Sequence, residues 1–268
     1  MEHSKNNVKI LIIVEGERTE KAFFYSLLEK FRVNGELYLI KNNLYSIYNK
    51  MKKYGFDCDV KDVLAELSPS DKDLLNEKFT YTYLVFDSDL QHHGSNEVEL
   101  SNNLDFLTKN NFTKLQEMAK YFTDETDPSI GRLYINYPMM ESYRYCNSFS
   151  DSEYLYAVIP ITEMKSFKEL AGKKALSGKN ISLYTKENFT DLIKQNIKKL
   201  FLLSKNDYQM YPQYNTYLKI SDSLHISNIQ LELITAIRAL SVLNTSLFLI
   251  VDYYGNRDSF FDKLFDLS

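Results

Sequence analysis

Four carboxylates lie just beyond short apolar runs of the sequence: Glu15, Asp87, Asp89 and Glu141. The runs are residues 8–14, 79–86 and 133–136, and their β-branched and aromatic content predicts buried strands. Parallel strands end at one edge of a sheet, so we expect these acids to lie close together there. Carboxylate oxygens are ligands that Mg²⁺ and Mn²⁺ prefer. The pattern therefore predicts metal-assisted phosphoryl transfer.

Electrostatics gives a second reason to expect a cation beside these acids. Like charges held close together are costly unless a cation neutralises them or one acid stays protonated. An Asp-x-Asp turn such as 87–89 can direct both carboxylates at one metal ion. Each motif alone is also typical of an ordinary strand-end turn, and Glu141 alone is also typical of a helix N-terminus. The ordered combination favours a site.

The elements that must position these acids alternate in type along the first half of the chain. Strands are predicted at 8–14, 36–40, 79–86 and 133–136. Helices are predicted at 18–31, 44–53, 60–67 and 111–122, and Pro138 is expected to open another that carries Glu141. This alternation is typical of an α/β fold with a mainly parallel central sheet flanked by helices.

The predicted order changes near residue 150. Residues 1–150 are interpreted as a catalytic domain and residues 151–268 as a mostly helical C-terminal region. Helices are predicted there at 163–171, 186–203 and 228–240. A late strand at 247–252 is expected at the edge of the sheet, which leaves open a single domain in which the second half elaborates the first.

Composition and cysteine usage restrict the class of protein. The chain has 268 residues, of which 25% are charged and 44% hydrophobic, which is ordinary globular composition. Its two cysteines, Cys58 and Cys146, form no CxxC pair, so neither a disulfide framework nor a zinc site is expected. No secretory leader and no run of roughly 18 apolar residues occurs, so the sequence predicts a cytoplasmic protein without membrane spans.

Charge is distributed unevenly along the chain, although the net charge is only −4. Residues 57–99 hold eleven Asp or Glu against three Lys, and residues 161–206 hold ten Lys against four Asp or Glu. An acidic centre beside a basic surface suits a polyanion such as nucleic acid. A solvated face is the alternative interpretation. The candidate phosphate contacts are Arg18, Lys21, Arg144, Lys194, Lys198 and Lys199.

Three further residues are left open as members of the site. His92 and His93 follow the Asp-Ser-Asp turn and have the chemistry to hold a phosphate or move a proton, although a solvated loop is the simpler interpretation. Asp252 ends the predicted strand 247–252 and is expected either to reach the same edge or to terminate that strand. The sequence contains no GxxxxGK[ST] loop and no GxGxxG after the first strand, so ATP hydrolysis by this chain is not expected.

Three segments together carry a resemblance to a known family. They are VEGERTE at 14–20 with Phe23 after it, DSD at 87–89 after an apolar strand, and NYPMME at 136–141. The first two resemble the Toprim domain, and the first is most similar to the RloB-like and AbiL-like branch, related to the overcoming-lysogenization-defect nucleases. The third is similar to that branch's Asn-Pro-x-x-Glu element, with Tyr137 inserted between Asn and Pro. The resemblance covers about residues 8–145.

The resemblance implies roles for the four acids. Glu15 would be a metal ligand or general base, Asp87 and Asp89 would bind Mg²⁺ or Mn²⁺, and Glu141 would supply a fourth carboxylate. The fold implied is a Toprim-like parallel sheet. The activity implied is a nuclease that cleaves phosphodiester bonds in DNA or RNA, including tRNA.

Members of this branch are linked to defence against phage. The resemblance therefore implies the toxic effector of an antiviral, abortive-infection system, controlled by a partner ATPase. Strand transfer or primer synthesis at the same site is a second enzymatic interpretation. The alternative from another class is a non-catalytic scaffold or binding subunit of an ATPase complex. The sequence leaves a homo-oligomer open.

Overall fold

A four-stranded parallel sheet forms the centre of the protein in the computed structural model. The structure describes residues 9–16, 18–40, 43–90, 104–122, 131–146, 152–174, 180–205, 212–255 and 257–265. The sheet has the order β2-β1-β3-β4 and all its pairs are parallel. Its strands are β1 (Ile10–Glu15), β2 (Gly35–Ile40), β3 (Tyr81–Asp87) and β4 (Arg132–Asn136). The α/β class and the parallel central sheet are confirmed.

The register of the sheet brings the candidate acids to one edge. Val14 of β1 lies opposite Val85 of β3, so Glu15 and Asp87 both come at the carboxyl ends of neighbouring strands. Asp87 in turn lies opposite Asn136, the last residue of β4. The five residues of β1 that precede Glu15 are completely buried, as expected for a strand covered on both faces.

Helices flank this sheet in the first half of the chain. They are α1 (Thr19–Phe31), α2 (Leu44–Lys53), α3 (Val60–Leu67), α4 (Lys72–Leu75) and α5 (Leu104–Tyr121). The bounds predicted for α2 and α3 are confirmed, and α5 begins seven residues before the prediction. In α1, Phe23, Leu27 and Phe31 recur on one buried face, so their spacing placed the helix correctly.

The C-terminal region is mostly helical, as predicted. Its helices are α6 (Ser152–Tyr156), α7 (Phe167–Lys174), α8 (Lys186–Leu203), α9 (Tyr214–Ile220), α10 (Ser223–Ile237), α11 (Phe248–Tyr254) and α12 (Phe260–Leu264). The bounds predicted for α8 are confirmed. The helix predicted at 163–171 is divided between a 3-10 helix, Ile161–Ser166, and α7. The helix α10 begins earlier than predicted because Asp222 caps it, accepting a hydrogen bond from the His225 N–H at 2.8 Å.

The strand predicted at 247–252 is wrong. This segment forms the end of a 3-10 helix, Thr245–Leu247, and then α11. A short apolar run is compatible with a buried strand and with a buried helix, and here Phe248–Val251 is buried on all sides. The second half instead contains two strands that were not predicted, β5 (Val158–Pro160) and β6 (Ala239–Ser241), which pair antiparallel.

The two halves of the chain meet at the end of β4. Tyr137 and Leu243 form a β-bridge, in which each backbone N–H donates to the other residue's carbonyl, at 2.9 and 2.8 Å. Residues from both halves contribute to one hydrophobic core. The boundary at residue 150 stays a prediction. No helix among the described residues is long and apolar enough to cross a membrane.

Candidate active site

Glu15 stands at the carboxyl end of β1, facing the first turn of α2. Its carboxylate accepts a hydrogen bond from the backbone N–H of Leu44, the first residue of α2, while its Oε2 is buried without a hydrogen-bond partner. Burial raises the pKa of Glu15 most, the charges of Asp89 and Glu20 raise it as well and the Leu44 N–H opposes them, which together place it at about 8. Apart from the Leu44 N–H, no hydrogen bond from the part of the chain that the structure describes offsets the negative charge of this buried carboxylate.

Glu20 joins Glu15 because of Gly16. Gly16 has φ +102°, and a Cβ at that position would lie 2.4 Å from Oε2 of Glu20, so the carboxylate of Glu20 lies directly over the glycine. Burial raises the pKa of Glu20, its own backbone N–H lowers it, Glu141 raises it and Lys168 lowers it. Glu20 lies within the VEGERTE segment, but it was not predicted as a site residue. The signal that could have identified Glu20 is its position four residues after Gly16, the glycine that follows β1.

Asp87 ends β3 beside these acids. Its side chain is half-buried, and burial raises its pKa well above the ordinary value. The charges of Glu15, Glu141 and Glu20 raise it further, while the backbone N–H of Met140 opposes them. The structure therefore brings Glu15, Glu20, Asp87 and Glu141 within electrostatic range of one another, and we call these four residues the acidic cluster.

Asp89 is exposed and has φ +34°. Its charge reaches Glu15 and Tyr45, whose pKa values it raises. The turn that carries it is fixed through Ser88, whose hydroxyl donates to the Pro138 carbonyl at 2.9 Å. The Ser88 carbonyl accepts from the Tyr45 hydroxyl at 2.6 Å. Asp89 therefore borders the acidic cluster on the solvent side.

Glu141 lies in a 3-10 helix, Met140–Tyr145, and is 2% exposed. The helix that Pro138 was expected to open is instead this 3-10 helix, which begins two residues after Pro138 and carries Glu141. Tyr143 of this helix packs on Phe23 of α1, with ring centroids 5.0 Å apart. That contact holds the 3-10 helix against α1, so Glu141 lies beside Glu20.

A buried amide network fixes the end of β4 next to the acidic cluster. The Asn136 side-chain oxygen accepts hydrogen bonds from the Ser246 N–H at 3.2 Å and from its hydroxyl at 2.9 Å. The Asn244 side chain donates to the Met140 carbonyl at 2.9 Å. Residues from the C-terminal half therefore hold the residue opposite Asp87 and the residue before Glu141.

Lys168 of α7 was not predicted as part of the site. Its Nζ lies 2.7 Å from Oε1 of Glu141, and its charge also lowers the pKa of Glu20. The two residues are 27 positions apart and belong to different halves of the predicted domain division, so no local spacing in the sequence linked them.

Asp252 does not join the acidic cluster. It lies on α11, where it is ion-paired with Nε of Arg132 at 3.1 Å and accepts hydrogen bonds from the hydroxyls of Tyr134 and, at 3.0 Å, Tyr217. Arg132 is the first residue of β4, whereas the acids lie at the carboxyl-end edge of the sheet. Neither possibility left open for Asp252 is observed, because it does not reach that edge and it lies within α11 rather than at the end of a strand. The ion pair fastens α11 to the sheet.

The predicted phosphate contacts are found in different settings. Arg18 and Lys21 are exposed at the start of α1, and Arg144 is half-buried with its Nε donating to the Tyr143 hydroxyl at 2.8 Å. The ammonium of Lys199 is instead completely buried and donates to the carbonyls of Tyr154 and Ala157 at 2.7 and 2.8 Å. Lys199 is therefore wrong as a surface contact, because its charge holds the end of α6.

The remaining predicted contacts are two lysines of α8 and two histidines that follow the Asp-Ser-Asp turn. Lys194 and Lys198 are half-buried on α8, the helix that also carries the buried Lys199. His92 and His93 lie outside the described residues. The proposed contact surface for nucleic acid therefore reduces to the start of α1, Arg144 and the two half-buried lysines of α8.

Carboxylate oxygens of the acidic cluster are the atoms that would hold a divalent cation. Within the described ranges, no group of three His, Cys, Asp or Glu is placed to hold a metal ion together. The donor type does fit, because the acidic cluster supplies only carboxylate oxygens and Oε2 of Glu15 is buried without a partner. Burial and the neighbouring acids raise the pKa values of Glu15 and Asp87, and a divalent cation held by these carboxylates would favour their ionised forms.

Comparison with known proteins adds no family to this description. No protein-family model matches the chain, and neither a curated protein nor a solved structure matches it. Functional assignment therefore rests on the geometry and charge of the acidic cluster.

Proposed function

We propose that this protein is a divalent-metal-dependent nuclease that cleaves phosphodiester bonds in DNA or RNA, including tRNA. The observation that supports the proposal is the electrostatic coupling of Glu15, Asp87 and Glu141 at the carboxyl edge of a parallel sheet. Edges of this kind are where open α/β folds place their sites. The resemblance of segments 14–20 and 87–89 to the Toprim domain gives the same reaction class.

Each residue has a role in this proposal that its position supports. Asp87 and Glu15 would hold Mg²⁺ or Mn²⁺, with Asp89 and Glu141 as further carboxylates. Such an ion supplies Lewis-acid stabilisation of phosphate oxygens. As the alternative to a ligand role, Glu15 would act as the general base that accepts the proton of the attacking water. Arg144, half-buried beside Glu141, would hold a phosphate oxygen of the substrate.

The test compares wild type with the double variant Glu15→Gln, Asp87→Asn. Each purified protein is incubated with tRNA, single-stranded DNA and duplex DNA in Mn²⁺ or EDTA. We expect Mn²⁺-dependent cleavage by wild type and a loss of at least ~100-fold in the variant, since general acid–base groups alone contribute about that much. Glu232→Gln, which changes an exposed acid of α10, is the matched control and should cut normally.

The biological setting follows from the resemblance. We propose a toxic effector of an antiviral, abortive-infection system in the cytoplasm, restrained or triggered by a partner ATPase. The test is co-expression with a candidate partner ATPase, followed by measurement of growth and of cleavage. Growth arrest that requires Glu15 and responds to the ATPase is the expected result.

A non-catalytic scaffold is the second candidate, and one observation favours it. No three carboxylates of the described residues converge as a metal site. In that case wild type fails to cut any nucleic acid, with or without the ATPase, and the double variant still forms the ATPase complex. Cleavage by wild type alone would exclude this candidate.

A further inference from the structure

Lys168 reaches the acidic cluster because α7 packs against the 3-10 helix Met140–Tyr145. The rings of Tyr145 and Phe167 stack with centroids 5.4 Å apart and planes inclined by 19°. Lys174 lies over the same Tyr145 ring, with its Nζ 4.1 Å from the centroid. These contacts fix the first turn of α7 beside Glu141 and place the Lys168 ammonium 2.7 Å from its Oε1.

The two members of this ion pair differ strongly in exposure. The Lys168 side chain is 67% exposed, whereas the Glu141 side chain is 3% exposed. The exposed ammonium can therefore exchange its contact with Glu141 for water, whereas the buried carboxylate is enclosed by protein. Lys168 also acts on Glu20, so one positive charge serves two acids of the cluster.

We propose that Lys168 is a tethered cation that occupies the Glu141 and Glu20 side of the cluster and is displaced when a divalent ion binds. This inference rests on the proposed function, because it requires the acidic cluster to bind a metal. It makes α7 a regulator of metal affinity. A partner that moves α7 away from the 3-10 helix would open the cluster, and one that presses it down would close it.

The inference separates Lys168 from a residue that contacts substrate. A positive charge close to a divalent ion opposes its binding, so removal of Lys168 strengthens metal binding even without nucleic acid. Removing one unit charge a few ångströms from a divalent ion changes affinity about tenfold in a water-like dielectric. The effect shrinks at high salt, since exposed charges are screened.

The experiment is a calorimetric titration of the full chain with Mn²⁺ at pH 7 and low salt, without nucleic acid. The variants are Lys168→Gln and Lys168→Met, two uncharged side chains of different polarity. Lys173→Gln is the matched control, because Lys173 lies on the same helix and pairs with Glu169 at 2.6 Å, with both side chains exposed. We expect about tenfold tighter Mn²⁺ binding in both Lys168 variants and no change in the control.

The outcomes distinguish this inference from the proposed function. Mn²⁺ binding by wild type that is equal or stronger than in both Lys168 variants overturns the inference and leaves the nuclease proposal standing. Absence of Mn²⁺ binding in all the proteins overturns both. Circular dichroism confirms that each variant is folded.

Discussion

At the scale of single residues, the contact between Gly16 and Glu20 decides how the acidic cluster is assembled. Gly16 permits a backbone turn with φ +102° and leaves the space that the Glu20 carboxylate fills. Glu20 thereby adds its charge to Glu15 and Asp87. Gly16 thus permits the turn that follows β1 and leaves room for the Glu20 carboxylate beside the other acids.

The substitution Gly16→Ala should disturb the site beyond its effect on stability. A positive φ disfavours alanine by about 1–2 kcal/mol, and the new Cβ displaces the Glu20 carboxylate. Gly55→Ala is the control, because Gly55 has φ +62° but no atom within 4 Å of a Cβ. We expect similar losses of stability in urea unfolding and weaker Mn²⁺ binding only for Gly16→Ala. Equal Mn²⁺ affinities in the two variants would contradict this role of Glu20.

The raised pKa of Glu15 predicts how stability depends on pH in the absence of metal. The pKa lies near 8 when folded, above its ordinary 4.5, so the folded state binds the proton more tightly. This contribution is fully present below about pH 4.5 and is lost as pH rises through 8. Stability should therefore fall across that window.

Glu15→Gln removes this dependence and should stabilise the protein relative to wild type at pH 8.5. We expect a gain on the order of 1–3 kcal/mol after allowance for solvent screening, and little gain at pH 4.5. Thermal unfolding in EDTA at the two pH values measures it, with Glu232→Gln as the control. A gain of the same size at both pH values would show that the effect does not come from ionisation.

Sequence patterns predicted the individual acids better than their partners. Glu15, Asp87 and Glu141 were identified because each follows a recognisable strand. Lys168 was not, because its pairing with Glu141 depends on how α7 packs, and no periodicity encodes that contact. Lys199 was misassigned for the converse reason, since a lysine on a polar-looking helix is buried here by the neighbouring α6.

At the scale of elements, the end of β4 is held by hydrogen bonds from the C-terminal half. Asn136 accepts two hydrogen bonds from Ser246 and lies opposite Asp87. The completely buried amide fixes the strand end from which the 3-10 helix with Glu141 continues. Loss of this amide should therefore affect both folding and the spacing of two acids.

Asn136→Ala should destabilise the protein by about 2–3 kcal/mol, because it leaves the buried Ser246 donors unsatisfied. It should also weaken Mn²⁺ binding by the folded protein. The control is Asn215→Ala, which changes an exposed residue of α9 and should alter neither quantity. Chemical unfolding and Mn²⁺ titration measure the two effects. Unchanged Mn²⁺ affinity in Asn136→Ala would limit the amide to a role in stability.

The predictability of the elements followed the strength of their sequence signals. The strands β1 and β3 were found because each is a mainly apolar run that ends in an acid, and α2 and α3 were found because their apolar residues recur at helical spacing. The helix α11 was taken for a strand because four consecutive buried apolar residues carry no period. The strands β5 and β6 have three residues each, too few to show an alternation.

At the scale of the whole molecule, contact with a polyanion is limited by a net charge of −4. Binding must therefore come from local basic residues, and it should weaken with salt in proportion to the phosphates neutralised. Arg18, Lys21 and Arg144 are the basic residues proposed to contact phosphate next to the acidic edge, whereas Lys168 is paired with Glu141. The buried Lys199 contributes stability rather than contact.

This difference gives a prediction for nucleic-acid binding. Lys21→Gln should reduce the slope of log affinity against log salt by roughly 0.7–0.9, as expected for one lost phosphate contact. Lys199→Met should leave the slope unchanged but lower stability by about 1–3 kcal/mol, because two buried carbonyls lose their donor. Fluorescence anisotropy across a salt series measures the slopes. An altered slope for Lys199→Met would contradict its structural role.

The joint between Tyr137 and Leu243 has a mechanical consequence. A protein that binds the helical half would act directly on β4, because the Ser246 N–H is hydrogen-bonded to Asn136, 110 residues earlier in the chain. Such a protein needs no access to the acidic edge of the sheet in order to change the distances between its acids. Remote mechanical control of that kind would let a bulky regulator act while leaving the entrance free for a long polymer.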